Sequence, residues 1–246
     1  VGNLRDAGIV LDEHPRVNLN DDLSRSAERS SPIVAKMDSN GAWVWMYYPV
    51  PEKGDKCEAE SLLEINESYA FGNSISLSSD ETTLSFVGEF TGCYDFGSND
   101  YILNEDPVKN GYVANLNATF GSFDWVLPIQ HTDLSPSLGA IYISSVTHSQ
   151  SSSDSNIYVV GSLQRLTIDP TTSAAGVNAV KGDDTGDAYV AVITEFGELL
   201  FQEDSCSNND LQSGGNCNLG GSERGISIEV NDGSMFVGVE VDSSAT

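Results

Sequence analysis

Positive charge is scarce in this chain. Eleven Lys and Arg residues stand against 37 Asp and Glu among 246, leaving a formal charge of −26. Such a surface repels phosphate backbones and anionic lipid, so nucleic-acid binding and peripheral membrane attachment are excluded as expectations. Long apolar runs are missing too: none approaches the ~18 residues that a membrane-spanning helix needs. No stretch of ten or more residues carries helical periodicity, which points away from helices. There is no C-x-x-C pair, no G-x-S-x-G elbow, and no phosphate-loop or dinucleotide fingerprint. The three histidines, His14, His131 and His148, lack zinc-ligand spacing to the cysteines. The expected protein is therefore non-enzymatic.

What the chain does have is repetition. A strand ending in Val-Gly recurs at Val1-Gly2, Val87-Gly88, Val160-Gly161 and Val237-Gly238. A Val-Ala strand recurs at Val34-Ala35, Val113-Ala114 and Val190-Ala191. Each Val-Ala strand leads into a short turn carrying Gly41, Gly121 or Gly197, and then into "AWVWMYY", "FDWVLPI" or "ELLFQ". The segments "NSISLSS", "AIYISSV" and "GISIEV" precede the later Val-Gly strands and complete a set of four. In chain order these strands are named a, b (Val-Gly), c (Val-Ala) and d. Alternation of apolar and polar residues in "TLSFVGEF" and "NIYVVGSL" is strand-like. The expected class is all-β, one domain over 1–246. Its repeat units run approximately 1–86, 87–159 and 160–236, with 237–246 opening a further unit.

The segments "FVGEFTGCYDFGSND", "NGYVANLNATFGSFDWV" and "IVAKMDSNGAWVW" resemble the bacterial β-propeller repeat family. Its units run roughly Val-x-Gly-x-Phe, Asp-Phe-Gly, Val-Ala-Lys-Leu-Asp, Asn-Gly and Trp. The spacing extends over almost the whole chain, while side-chain identity fades in the third unit, where "DFG" becomes "IDP" and "KMD" becomes "VIT". The resemblance implies four-stranded antiparallel blades. Two complete blades, built from c and d of one repeat with a and b of the next, are expected in the middle. Residues 1–45 and 225–246 are left as half blades, which belong to a longer propeller or are completed by neighbouring chains. Stacked immunoglobulin-like sandwiches are the alternative all-β architecture.

Strands that alternate in direction put a–b and c–d turns at one end, b–c and d–a connections at the other. The former are short. The latter are long: 3–31, 90–111 and 163–187, then 49–72, 129–139 and 203–224. Recognition is expected on this long-loop face. Four cysteines fall there and permit three pairings; Cys206 with Cys217 closes one loop, and Cys57 with Cys93 remains by elimination. The sequons at Asn66 and Asn117, with the even cysteine count, favour an extracellular or cell-surface glycoprotein. Asp183, Asp184 and Asp187 form the densest acidic patch and the candidate calcium site, although a solvated acidic loop explains them as well. The expected role is a structural or interaction module that presents an acidic, disulfide-stapled face to a protein or glycan, as a subunit of a surface or filamentous assembly. The alternatives are the substrate-binding propeller of a carbohydrate-active enzyme and a calcium-dependent adhesin. Trp43, Trp45 and Trp125 are expected to pack between sheets rather than stack on sugar.

Overall fold

The computed structural model describes residues 2–5, 30–51, 69–97, 101–104, 109–130, 140–150, 155–164, 167–168, 180–181, 186–204, 222–231 and 234–242. Among these the chain is all strand and turn, with no helix. The first group comprises β1 (Gly2–Arg5), β2 (Ser30–Met37), β3 (Trp43–Tyr47) and the short β4 (Val50–Pro51). A second follows as β5 (Tyr69–Leu77), β6 (Thr83–Asp95), β7 (Tyr101–Asn104), β8 (Asn110–Asn117) and β9 (Phe123–Ile129). A third contains β10 (Ala140–His148), β11 (Ile157–Gln164), β12 (Thr167–Ile168), β13 (Val180–Lys181), β14 (Asp187–Ile193) and β15 (Leu199–Asp204). The hairpin β16 (Ser222–Asn231) and β17 (Ser234–Asp242) comes last.

Two antiparallel four-strand meanders form the centre, β5-β6-β8-β9 and β10-β11-β14-β15. Each takes a, b, c and d consecutively along the chain. This corrects the expected assembly from c and d of one repeat with a and b of the next. The short a–b and c–d turns leave the joined strands side by side, and b and c then pair across the remaining edge. β1-β2-β3 supplies b, c and d of an earlier unit, with β1 antiparallel to β2 and β2 to β3. β16-β17 supplies a and b of a later one. A single parallel bridge, Ser30 to Tyr69, joins the first group to the second.

The repeat is visible in its irregularities. All three a strands shift register by one residue, at Gly72/Ser74, Ile143/Ser145 and Gly225/Ser227. All three d strands do so at Val44, Asp124 and Leu200, the residue between each matched pair. Such bulges raise local twist and redirect a backbone carbonyl. The bulged a strands explain the Val-Gly motif. A Cβ on Gly88 would collide with the carbonyl oxygen of Phe71, and one on Gly161 with that of Tyr142. The b strand is glycine where its neighbour leaves no room for a side chain.

Period-2 alternation sends successive side chains to opposite faces, and both faces of β5-β6-β8-β9 are buried. Val87 and Val113 join Ile141, Ile143, Ile157, Val159, Tyr189 and Ala191 in a core against the β10 sheet. Phe86, Tyr112 and Ala114, one residue away in each strand, join Val34 and Trp45 in a second core against β2-β3. That second core is aromatic: Tyr112 meets Phe86, Phe90 and Phe96 edge to face, with centroids 5.7, 6.3 and 5.3 Å apart. The Tyr112 hydroxyl donates to the Phe71 carbonyl at 2.9 Å, so its polar end is satisfied. β2-β3, β5-β6-β8-β9 and β10-β11-β14-β15 therefore stack face to face in succession, with a core at each of these two junctions.

The long connections are not simple loops where they are described. β6 runs on to Asp95 and pairs with β7, and β4 pairs with Asp95 and Tyr94. β12 and β13 form their own ribbon within 163–187. Part of the expected loop face is thus extended sheet.

Candidate functional site

The turn end of the stack has a repeated construction. In the first c–d turn the Asp38 Oδ1 accepts from the backbone N–H of Asn40 and Ala42, at 2.9 and 2.8 Å. In the second, Asn117 Oδ1 accepts from Thr119 and Phe120. In the third, Thr194 Oγ1 accepts from Phe196 and Glu198. Three residue types perform one capping task, which is why no identity repeat marks them. The hydrogen bonds to Asp38 hold its carboxyl below the usual carboxylate range, with that from Ala42 leading. The "MDSNGAW" segment is thereby explained as a hairpin turn. The Asn117 sequon side chain is engaged in its own turn through Oδ1.

Gly41, Gly121 and Gly197 all have positive φ, at 83°, 67° and 83°. Two of them lie beneath tryptophan. Trp45, on the d strand of the first group, covers the second group's turn and donates from Nε1 to the Ala118 carbonyl at 3.1 Å. A Cβ on Gly121 would sit 2.5 Å from the Trp45 ring. Trp125, one sheet later, donates to the Glu195 carbonyl at 2.7 Å and lies over Gly197 at 2.9 Å from such a Cβ. Each tryptophan clasps the next sheet's turn, as the expected inter-sheet packing of Trp45 and Trp125 requires. Trp43 differs, remaining exposed. The apex residues Phe120 and Phe196, each immediately before its turn glycine, are 68% and 80% exposed.

The opposite end holds a half-buried ion pair. Lys109 Nζ lies 2.9 Å from Glu89 Oε1 and over the rings of Tyr69 and Tyr142, at 5.5 and 5.3 Å from their centroids. Burial works against the ammonium charge, but the hydrogen bond and charge of Glu89 outweigh it and raise the lysine above its ordinary value. Tyr69 is pushed up by burial, opposed by Lys109. The arrangement ties β5, β6, β8 and β10 together.

Of the expected site residues, Cys93 is buried in β6 and disulfide-bonded. Cys57, Cys206, Cys217, Asn66, Asp183 and Asp184 lie outside the described residues. Asp187 is buried in β14, opposite Leu163. Among the described residues no three or more His, Cys, Asp or Glu side chains are grouped to hold a metal ion. The sequence reading missed His148, buried at the end of β10 with its Nε2 lacking a hydrogen-bond partner. Burial lowers its pKa to about 4, against the pull of Asp80. It missed the exposed apices as well. No family model matches the chain, and no curated protein is detectably similar to it.

Proposed function

We propose that the chain is a β-propeller-type repeat segment that acts outside reducing compartments as a non-enzymatic interaction module for a protein or glycan partner. The observation that carries this reading is the pair of exposed apical phenylalanines, Phe120 and Phe196, held on capped turns that tryptophans of the preceding sheets clamp. Large exposed aromatics contribute nothing to the cores and lower solubility; rigidly held, they suit recognition. The successive face-to-face sheets support the propeller reading, and the disulfide at Cys93 supports an oxidising address. The acidic long-connection end is the second candidate surface.

The two surfaces are separated by testing immobilised polysaccharides and lysine-rich peptides against three proteins: the native chain, Phe120→Ser/Phe196→Ser, and Asp183→Asn/Asp184→Asn. The apical reading requires binding that falls at least about tenfold in the double serine variant with an unchanged circular dichroism spectrum. Binding lost only in the asparagine variant moves recognition to the acidic end. Equal binding by all three removes the apical role.

A further inference from the structure

A row of polar side chains closes the core between β5-β6-β8-β9 and β10-β11-β14-β15 at its turn end. Val87 and Val113 face that core, and the pairing of β6 with β8 runs unbroken past them. Two residues on, Ser85 and Asn115 therefore face the same way and stand opposite each other. Ser76 of β5 lies opposite Ser85, and Trp125 of β9 opposite Asn115, which completes the row across the sheet. The facing row is His148, Ile157, Ile193 and Leu199, paired in that order across β10, β11, β14 and β15. His148 comes two residues after Val146, another member of the core, with no register shift between them.

The two rows meet well at their ends. The His148 backbone N–H donates to Ser76 Oγ at 3.1 Å, and Trp125 Nε1 donates to the Glu195 carbonyl. Between those contacts the polar atoms are unmet. Ser85, Asn115 and His148 are 0%, 1% and 3% exposed, and Ser85 Oγ, Asn115 Oδ1, Asn115 Nδ2 and His148 Nε2 all lack a hydrogen-bond partner. Native interiors pair nearly all such atoms, so a cluster of them in one junction calls for an occupant. The neighbouring sheets show what the place otherwise holds. Lys36 stands in the position of Asn115 one sheet earlier, opposite Trp45, and its Nζ crosses to the Ala118 carbonyl at 3.1 Å. Val192 stands there one sheet later, opposite Phe201, with no side-chain polar atom to satisfy. Asn115 has neither the reach of the lysine nor the indifference of the valine.

We infer that Ser85, Asn115 and His148 enclose an internal hydration site, in which at least one ordered water bridges the two sheets. Water is the occupant whose chemistry fits. It both donates and accepts, as an amide, a hydroxyl and an uncharged ring nitrogen together require, and an internal water takes two to four such partners. A metal cation would need anionic ligands, and Asp80, the carboxylate that acts on His148, is engaged with Ser78 and Thr82 in its own turn. Val87, Val113, Ile157 and Ile193, all fully buried, floor the site with apolar side chains and give a larger polar solute nothing to hold. One water meets the imidazole nitrogen without opening it to bulk solvent.

Two measurements test the site. Nuclear Overhauser spectra of the native chain should show a cross-peak between water and the Asn115 side-chain amide protons, with the sign of a long-lived contact. Ser85→Ala should keep that peak, whereas a signal relayed through the exchanging Ser85 hydroxyl would vanish. Oxygen-17 relaxation dispersion counts the waters that tumble with the protein. Ser85→Ala/Asn115→Leu should lower that count by at least one, with an unchanged circular dichroism spectrum. An Asn115 amide with no water cross-peak in the native chain overturns the inference, whether or not the double variant folds. So does loss of the peak in Ser85→Ala, an unchanged count in a folded double variant, or a metal ion bound one to one in the native chain and absent from that variant.

Discussion

Replacing Gly121 by alanine tests the tryptophan clasp, because a matched control isolates the clasp from backbone strain. Gly121 and Gly41 have similar φ, 67° and 83°, so alanine at either place carries the left-handed penalty of about 1–2 kcal/mol. At Gly41 nothing else follows, since the new Cβ meets Met37 at an ordinary 3.9 Å. At Gly121 it falls 2.5 to 2.8 Å from three atoms of the Trp45 ring, so the ring must move. Moving it breaks the 3.1 Å hydrogen bond to Ala118, about 1 kcal/mol, and disturbs a side chain that is 4% exposed, about another 1–2 kcal/mol. Gly121→Ala should therefore destabilise by about 3–5 kcal/mol and Gly41→Ala by about 1–2. The assay is urea unfolding followed by circular dichroism and tryptophan emission. Emission of the folded Gly121→Ala protein should shift to the red. If the two variants lie within about 0.5 kcal/mol of each other, the clasp contributes nothing and the reasoning is wrong.

Two further outcomes follow from the buried charges. His148 titrates at about 4 when folded and near 6.5 when unfolded, so the unfolded chain binds the extra proton between those values. Its contribution is present above pH 6.5 and lost as pH falls toward 4, amounting to about 2 kcal/mol between pH 7 and 4.5. His148→Gln should flatten the pH dependence of urea stability by that amount; an unchanged slope would show that the imidazole is solvated. Lys109→Met strands the Glu89 carboxylate, whose Oε2 already lacks a partner. It should cost about 2 kcal/mol, reduced from the fully buried case because a third of the lysine side chain is exposed. Lys109→Met/Glu89→Gln should recover most of this in the same assay, and a double variant no better than the single one would refute the pairing.

The strand content and the period of the repeat were legible because Val-Gly, Val-Ala and the turn glycines each answer to a local geometric demand. The reason for Val-Gly was not legible, since the carbonyls of Phe71 and Tyr142 reach Gly88 and Gly161 only through bulges in strands far from any motif. The caps escaped notice because Asp38, Asn117 and Thr194 share an oxygen position and not an identity. Strand order failed for a related reason. Repeat units cut at the Val-Gly landmarks straddle the sheets, whose boundaries follow hydrogen bonding instead. Nothing in the sequence marks Phe120 and Phe196 as exposed, and only the finished turns show that they point out.

The same limit governs the Val-Gly strands β6 and β17. Phe86 and Phe236 occupy one position of one motif, yet the first is sealed in an aromatic core and the second faces water. No property of the b strand separates them. Among the described residues, what differs is whether a Val-Ala strand lies alongside. A residue's burial is thus set by the neighbour that its edge finds.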